Sequence, residues 1–349
     1  MTESQSPPAP PAARLKMSDI ARMAGVSVST VSRALAGSPL IPKPLREKIE
    51  TIAAGEGYAV NHSARTLRLQ TTRTIGLVLP MGHQTGQRMT DPFMLEMIGH
   101  VTEEVIKRGY DLLLSKLPAP REGWLSALVQ SHRFDGMLMI GQSDQHQALD
   151  EVGGRYLPMV VWGERLPGQA YCSVGVDNAF GGRTATEHLL SLGRSAIRFL
   201  GPIDVPEVDS RYRGYLAAMG PTASATLTAP LACSFTHKSA YEATHALIQS
   251  GAKFDALFCA SDVIAGGARM ALLESRLRIP DDVALVGFDD VPMAQTMSPP
   301  LTTIRQDLGV AANLMVELLF RRIGGETTPS SVIPARLMVR ESTVGARPA

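Results

Sequence analysis

From Thr74 onward, short aliphatic runs alternate with longer stretches whose apolar residues recur every three or four positions. The runs are Ile75–Leu79, Leu112–Leu114, Met137–Ile140, Met159–Val161, Val174–Val176, Ile197–Leu200, Ala256–Cys259 and Val283–Val286. Runs so short predict strands. Met94–Arg108, Ala179–Leu192, Ser239–Gln249 and Val263–Ser275 carry the period of amphipathic helices. The alternation predicts βαβ units and parallel sheets, and the length of the stretch favours two sheets over one.

Between Lys16 and Gly55 the pattern is helical only. Ser18 suits an N-cap, with Ile20, Met23 and Ala24 on one face of a short helix. Gly25 suits a sharp turn, after which Ser27 can cap a second helix that turns Val31, Ala34 and Leu35 inward. Val28, Ser29, Ser32 and Arg33 are left on its outer face. A third helix from Pro44 to Gly55 supplies Leu45, Ile49 and Ile52 to close a three-helix core. The pattern alone fits a DNA reader or a small bundle for protein contact.

Composition is that of an ordinary globular chain, 44% hydrophobic and 19% charged. The net charge of +1 conceals an uneven distribution: ten Lys and Arg against four Asp and Glu lie between Arg14 and Arg73. A basic first fifth on an acidic body suits an end that meets a polyanion, although a solvated basic face gives the same count. Cys172, Cys233 and Cys259 are scattered, which argues against a disulfide framework or zinc site and for a reducing cytoplasm. The Pro- and Ala-rich start, MTESQSPPAPPAA, has no apolar core of a signal peptide and reads as a disordered tail. No run approaches the roughly 18 apolar residues of a membrane span. The 16 methionines are spread through apolar faces and read as core filler.

The string Gly25-Val-Ser-Val-Ser-Thr-Val-Ser-Arg-Ala-Leu35 resembles the DNA-binding domain of the LacI/GalR family of bacterial transcriptional regulators. The resemblance implies that the helix from Ser27 to Ala36 lies in the major groove, with Val28 and Ser29 at the main specificity positions and Arg33 reading a further base. Ser18, Ser27, Thr30 and Ser32 join them as DNA contacts. Ile41-Pro42-Lys43-Pro44-Leu45-Arg46 departs from the family by lacking the usual hydroxyl residues, and Lys43 and Arg46 are placed to contact the backbone as point charges. Tyr58-Ala-Val-Asn61-His-Ser-Ala64-Arg65-Thr-Leu67 resembles the family's hinge, with Val60 in place of a proline. By resemblance Asn61 caps a short helix that folds on DNA, Ala64 and Arg65 contact DNA, and Leu67 wedges into the minor groove. Leu67 also suits packing on the sensing domain.

Ligands of open α/β sheets sit at the carboxyl ends of strands, and polar residues gather there. Asp177-Asn178, Ser261-Asp262 and Asp289-Asp290 each follow a predicted strand, and Arg211 opens the helix after another. Arg211 and Asp262 match family positions that hold sugar hydroxyls, while Phe93 and Phe235 match positions where an aromatic ring touches ligand. Trp162 and Arg165 end the run Met159–Arg165 and join the candidates. Asp177 and Asn178 equally suit capping of the following helix, Asp289 and Asp290 suit a structural turn, and Phe235 suits ordinary core.

The expected fold is an N-terminal all-α helix-turn-helix domain plus an α/β periplasmic-binding-protein-like sensing domain of two doubly wound parallel-sheet lobes. The expected boundaries are a tail at 1–15, the DNA reader at 16–60, a hinge and linker at 61–73, and a ligand-binding and dimerisation domain at 74–349. Its N-lobe takes about 74–175 and 306–333, and its C-lobe about 176–303 and 334–349. The function implied is a cytoplasmic homodimeric repressor of carbohydrate genes, bound to a pseudo-palindromic operator and controlled by a small sugar. A purine or sugar phosphate is the alternative effector. No phosphate-binding GxxxxGK[ST] loop, GxSxG elbow, HExxH motif or Cys/His ligand set points to an enzyme, a metal or a cofactor.

Overall fold

The computed structural model describes residues 15–35, 37–58, 71–80, 88–117, 121–142, 144–221 and 224–345. The chain divides into two compact units, Met1–Thr72 and Arg73–Ala349. The tail to residue 14 lies outside the described residues, as does hinge segment 59–70 with Asn61, Ala64, Arg65 and Leu67.

In the first unit, α1 (Met17–Ala24), α2 (Val28–Leu35) and α3 (Lys43–Gly55) enclose Ile20, Ala21, Ala24, Val31, Ala34, Ile41 and Ile49. Two expectations need correction. Ser18 does not cap α1: Lys16 is the cap residue, and Asp19 accepts the Lys16 backbone N–H at 3.0 Å. A carboxylate three residues into the helix reaches that orphan donor, so Ser18 stays exposed on the first turn. Met23 is 44% exposed while Ala21 is buried, because the apolar arc centres between Ile20, Ala21 and Ala24. At 100° per residue, Met23 falls just outside that arc. Gly25 ends α1 at φ +70, where its N–H closes on the carbonyls of Ala21 and Arg22. The Ser27 hydroxyl accepts from Thr30 N at 3.2 Å and starts α2. Pro42 precedes α3 without a side-chain cap, and a proline in the first turn fits because its missing N–H would have had no helical partner.

The second unit holds two sheets. One has six parallel strands in the order β10-β5-β4-β3-β1-β2. Its strands are β1 (Thr74–Pro80), β2 (Asp111–Leu117), β3 (Gly136–Ile140), β4 (Met159–Trp162), β5 (Cys172–Val176) and β10 (Ser331–Ile333). The other, in the order β11-β9-β8-β7-β6, has β6 (Ile197–Leu200), β7 (Ala256–Cys259), β8 (Ala284–Asp289), β9 (Thr302–Arg305) and β11 (Arg336–Met338). Among the described strands, only β11 runs antiparallel, against β9.

Helices α4 (Pro92–Lys107), α5 (Trp124–Gln130), α6 (His146–Gly153) and α13 (Leu308–Ile323) lie among the strands of the first sheet in sequence and contact. Helices α7 (Asn178–Ser191), α8 (Pro206–Met219), α9 (Ala225–Thr228), α10 (His237–Gln249), α11 (Asp262–Glu274), α12 (Pro292–Thr296) and α14 (Glu341–Val344) belong with the second. Every residue of β3, β5, β7 and β8 is buried, which is why these strands read as largely apolar runs, with Ser173 in β5 and Asp289 at the end of β8 as buried polar exceptions. The chain crosses between sheets after β5, after β9 and after β10. The three-residue strands β10 and β11 went unpredicted, being too short to show a period.

Helices α7 and α8 touch backbone to backbone. A Cβ at Gly182 would stand 2.0 Å from the Arg211 carbonyl oxygen, and one at Gly214 would stand 2.1 Å from that of Ala179. Only glycine permits this approach, and it sets Arg211 of α8 against the start of α7.

Candidate functional site

The outer face of α2 carries the candidate DNA readers. Val28 is 46% exposed, and Ser29 and Arg33 are exposed. The Ser27 hydroxyl lies 2.8 Å from both the Ser29 and the Thr30 hydroxyls, so three small polar groups cluster at the helix start. Ser18 is exposed on α1, while Thr30 and Ser32 are half-buried. Lys43 is exposed, with its ammonium 3.9 Å from the Glu47 carboxylate on the next turn. Arg46 donates to the Gly37 carbonyl at 3.4 Å, so it is partly engaged within the unit.

In the second unit a cavity of about 100 Å³ opens where strand ends of the two sheets converge. Pro80, Ile140 and Trp162 end β1, β3 and β4 and line one side; Ser261 and Asp289 stand at the ends of β7 and β8 and line the other. Asp91, Phe93 and Met94 reach in from the start of α4, Glu207 and Arg211 from α8, and Phe235 and Gln306 from connecting segments. Phe93 and Trp162 stand 6.4 Å apart between ring centroids, tilted by 41°. A polyhydroxy ligand needs such a set, with flat apolar faces beside acceptors and a planar donor.

Arg211 is the best-held group. It is 5% exposed; Nε donates to Asn178 Oδ1 at 2.9 Å, Nη1 donates to the Ala260 carbonyl at 2.6 Å, and the guanidinium lies 3.7 Å over the Phe288 ring. Burial lowers its pKa, and the carboxyls of Asp289, Glu207 and Glu164 oppose that shift. Nη2 has no partner among the described residues and is left to the cavity. Asp289 accepts from Gln306 Nε2 at 2.6 Å and sits at φ +116, a strained conformation for a residue with a side chain. Burial raises its carboxyl to about 7, with Arg211 pulling it down and Asp91 pushing it up.

Five candidates thus share one cavity: Phe93, Trp162, Arg211, Phe235 and Asp289. Asp289 therefore both turns the chain and faces the cleft. Four others lie elsewhere. Asp262 is 0% exposed behind the wall, where Oδ1 accepts from Thr303 Oγ1 at 2.6 Å and Oδ2 from Val291 N at 3.0 Å. Its neighbour Ser261, the extended N-cap of α11, takes the lining position; entry into the helix rotates the next side chain by about 100°. Asn178 is buried one layer back, gripping Arg211 through Oδ1 and donating through Nδ2 to Glu164 Oε2 at 2.7 Å. Asp177 caps α7 by accepting from Phe180 N at 2.8 Å. With Arg165 it borders a separate depression beside Phe180 and Arg183. Asp91, Glu207, Ser261 and Gln306 were missed as lining residues. Glu207 precedes Arg211 by four residues, and that spacing places them on one helix face.

A model for bacterial regulatory proteins of the lacI family matches residues 16–61, and one for a periplasmic binding protein-like domain matches residues 186–343. The ribose operon repressor of Escherichia coli (strain K12) is 31% identical over 318 residues, covering 88% of this chain and 92% of the repressor. The chain belongs to the LacI family. It is a DNA-binding transcriptional regulator with the fold of that family. Among solved structures, the complex of the transcriptional regulator CelR with cellobiose is similar at TM-score 0.68 and 32% identity, covering 94% of this chain and 100% of CelR. The Lac repressor dimer bound to operator and an anti-inducer has the same fold at TM-score 0.81 and 24% identity, with 94% and 99% covered. Among the described residues no helix of this LacI-family chain is long and apolar enough to cross a membrane, and no group of three or more metal-ligating residues occurs.

Proposed function

We propose that this regulator is a cytoplasmic homodimeric repressor of carbohydrate genes, released from or recruited to a pseudo-palindromic operator by a small sugar. The observation that carries the sugar reading is the cavity itself: a fixed guanidinium, three lining carboxyls and three aromatic rings at converging strand ends. The sugar-named and sugar-bound relatives support the same effector class. In this reading residues 16–60 read the operator, 61–73 form the hinge and 74–349 sense and dimerise. The N-lobe comprises about 74–175 and 306–333, the C-lobe about 176–303 and 334–349. Val28, Ser29 and Arg33 face base edges, and Ser18, Ser27, Thr30, Ser32 and Lys43 face the backbone.

The sugar acts as effector, with no cofactor and no reaction of the protein's own. Its hydroxyls bond Arg211, Asp289 and Gln306 while its C–H faces lie on Phe93, Trp162 and Phe235. Binding favours one arrangement of the two lobes. A full switch requires a preference for that arrangement of roughly 5 kcal/mol. A mobility-shift titration of the full chain on its own upstream DNA, with and without D-ribose, D-glucose and cellobiose, tests this. Specific retardation altered by one of the sugars is expected. Retardation equal to that on unrelated DNA would refute the regulator, and retardation that responds only to purines would refute the sugar.

A further inference from the structure

A second depression, of about 530 Å³, shares no lining residue with the cavity that holds Arg211. That size falls within the roughly 300–1,000 Å³ of small-molecule sites. Its charge is of the opposite kind. Arg165, Arg183 and Arg213 line it, against the two carboxyls of Glu164 and Asp177. Both carboxyls have internal work: Glu164 accepts from Asn178 Nδ2 at 2.7 Å, and Asp177 accepts from Phe180 N at 2.8 Å to cap α7. Burial also raises Glu164, which weakens its claim to a full negative charge.

The arginines are available. Arg165 is exposed, and its side chain makes no hydrogen bond or ion pair among the described residues. Arg183 stands 3.9 Å from Glu187; Arg213 stands 3.1 Å from Asp209 and donates to Ser210 Oγ at 3.0 Å. Both ion pairs join exposed side chains one helical turn apart, a kind worth about 0.3–0.5 kcal/mol, so an incoming anion displaces them at small cost.

The fold sets these groups together from two directions. A Cβ at Gly214 would stand 2.7 Å from the Arg183 backbone nitrogen, so the glycine contact of α7 with α8 brings Arg213 beside Arg183. The Arg183 guanidinium lies 5.6 Å from the centroid of the Phe180 ring, which is 43% exposed and gives the depression a flat apolar face. Arg165 instead follows β4 of the six-stranded sheet, whereas α7 and α8 pack with the other sheet. A phosphate monoester suits this set, because its oxygens accept from guanidiniums in bidentate fashion while its carbon body lies on the ring. Bound there, it joins the same two sheets that the cavity joins, and so favours the arrangement in which both sites are formed.

We propose that this depression is a second effector site, in which Arg165, Arg183 and Arg213 hold the phosphate of a small organic phosphate and Phe180 carries its body, and that its occupancy strengthens sugar binding in the cavity. The coupling rests on the cavity being the sugar site; the phosphate site does not. The full-length protein is titrated calorimetrically with glucose 6-phosphate and AMP, and with glucose and adenosine as their uncharged parents. The variants are R165A, R165K, R183A/R213A and R211A, each checked for folding by circular-dichroism melting. In R211A, whose cavity has lost its guanidinium, one of the phosphates binds and its parent does not; which of them binds identifies the body as sugar or nucleoside. R165A and R183A/R213A each weaken that phosphate about tenfold or more, the loss expected of a charge-assisted contact, and R165K recovers part of it. In wild type, a saturating amount of the phosphate tightens whichever of D-ribose, D-glucose or cellobiose binds by about fivefold or more, and the sugar tightens the phosphate by the same factor. R165A removes this coupling and keeps sugar binding. Absence of phosphate binding, or phosphate binding that the arginine variants leave unchanged, overturns the site. Phosphate binding without any change in sugar affinity overturns the coupling alone. If a phosphate binds and no sugar does, the cavity reading fails and the depression stands.

Discussion

Arg211 Nε donates to Asn178 Oδ1 at 2.9 Å, and the same Asn178 donates through Nδ2 to Glu164 Oε2 at 2.7 Å. One buried amide therefore orients the cavity's guanidinium and holds a carboxyl that burial raises above its ordinary value. The amide suits this place because it offers an acceptor and a donor at once without adding a charge. Asn178→Ala leaves both partners without it. The expected outcome is a loss of about 1–3 kcal/mol in unfolding free energy and roughly tenfold in sugar affinity. Asn178→Asp keeps the contact to Arg211 but places an acceptor against Glu164, so its affinity should fall at low ionic strength while Arg211 remains fixed. Urea denaturation and calorimetry read both quantities, and an Asn178→Ala protein with unchanged affinity would show that Arg211 is oriented by its other contacts alone.

The approach of α7 to α8 gives a sharper test of the scaffold. At Gly182 and Gly214 a methyl group would meet backbone oxygen at 2.0 and 2.1 Å, and backbone cannot swing aside as a side-chain end can. Gly182→Ala and Gly214→Ala should each destabilise the sensing unit by about 1–3 kcal/mol or more. They should also weaken sugar binding through the displaced Arg211. Gly99 on α4 has open space at its Cβ position, so Gly99→Ala is the control and should leave unfolding unchanged or slightly stabilised. Equal melting of all three variants would mean the helices separate without cost.

How far such a site could be read from residue order depends on which geometric step is asked of it. Fully buried strands such as β3 and the first half of β8 were visible because burial on both faces favours apolar residues in succession. The three-residue β10 and β11 carry no comparable signal. The strand end located Asp289, whereas Arg211, inside α8, was found through the family resemblance. Ser261 and Asp262 could not be separated that way, because the turn into α11 decides which neighbour faces inward. Helical periodicity would have found Glu207 from Arg211, but its acidic neighbourhood depends on residues far apart in the chain. Asp177 shows the converse: it sits after a strand like the others, yet the N-terminal amide of α7 claims its carboxylate.

The carboxyl of Asp289, raised from 3.8 to about 7, makes stability depend on pH with a definite sign. The unfolded chain releases this proton near pH 4, while the folded protein keeps it until about pH 7. Between those values the folded state binds more protons, so this group's contribution to stability is full below pH 4 and is lost as pH rises to about 7. Asp289→Asn removes the dependence. Glu207 and Glu164, also raised by burial, act in the same direction, whereas Asp282, lowered to about 2 chiefly by Arg278, acts in the opposite one. The informative quantity is thus the difference between wild type and Asp289→Asn. Relative to the variant, wild type should lose stability from pH 4 to pH 7 and change little above pH 8; a constant difference across that range would place Asp289 in contact with water.

At the other end of the chain, the Ser27 hydroxyl accepts from Thr30 N and contacts the hydroxyls of Ser29 and Thr30, joining helix initiation to the candidate reading surface. Ser27→Ala should cost about 0.5–2 kcal/mol through the lost cap and weaken operator binding on every sequence alike. Ser27→Asp restores a capping acceptor, and stability should return. Operator affinity should fall further, because the new charge faces phosphate. Arg33 is exposed and its side chain makes no hydrogen bond among the described residues, so Arg33→Ala should leave melting unchanged. Its loss should instead appear as about 1–3 kcal/mol less discrimination at one base pair of each half-site, read by competition with single-base operator variants. Uniform weakening across all those variants would move Arg33 from base reading to backbone contact.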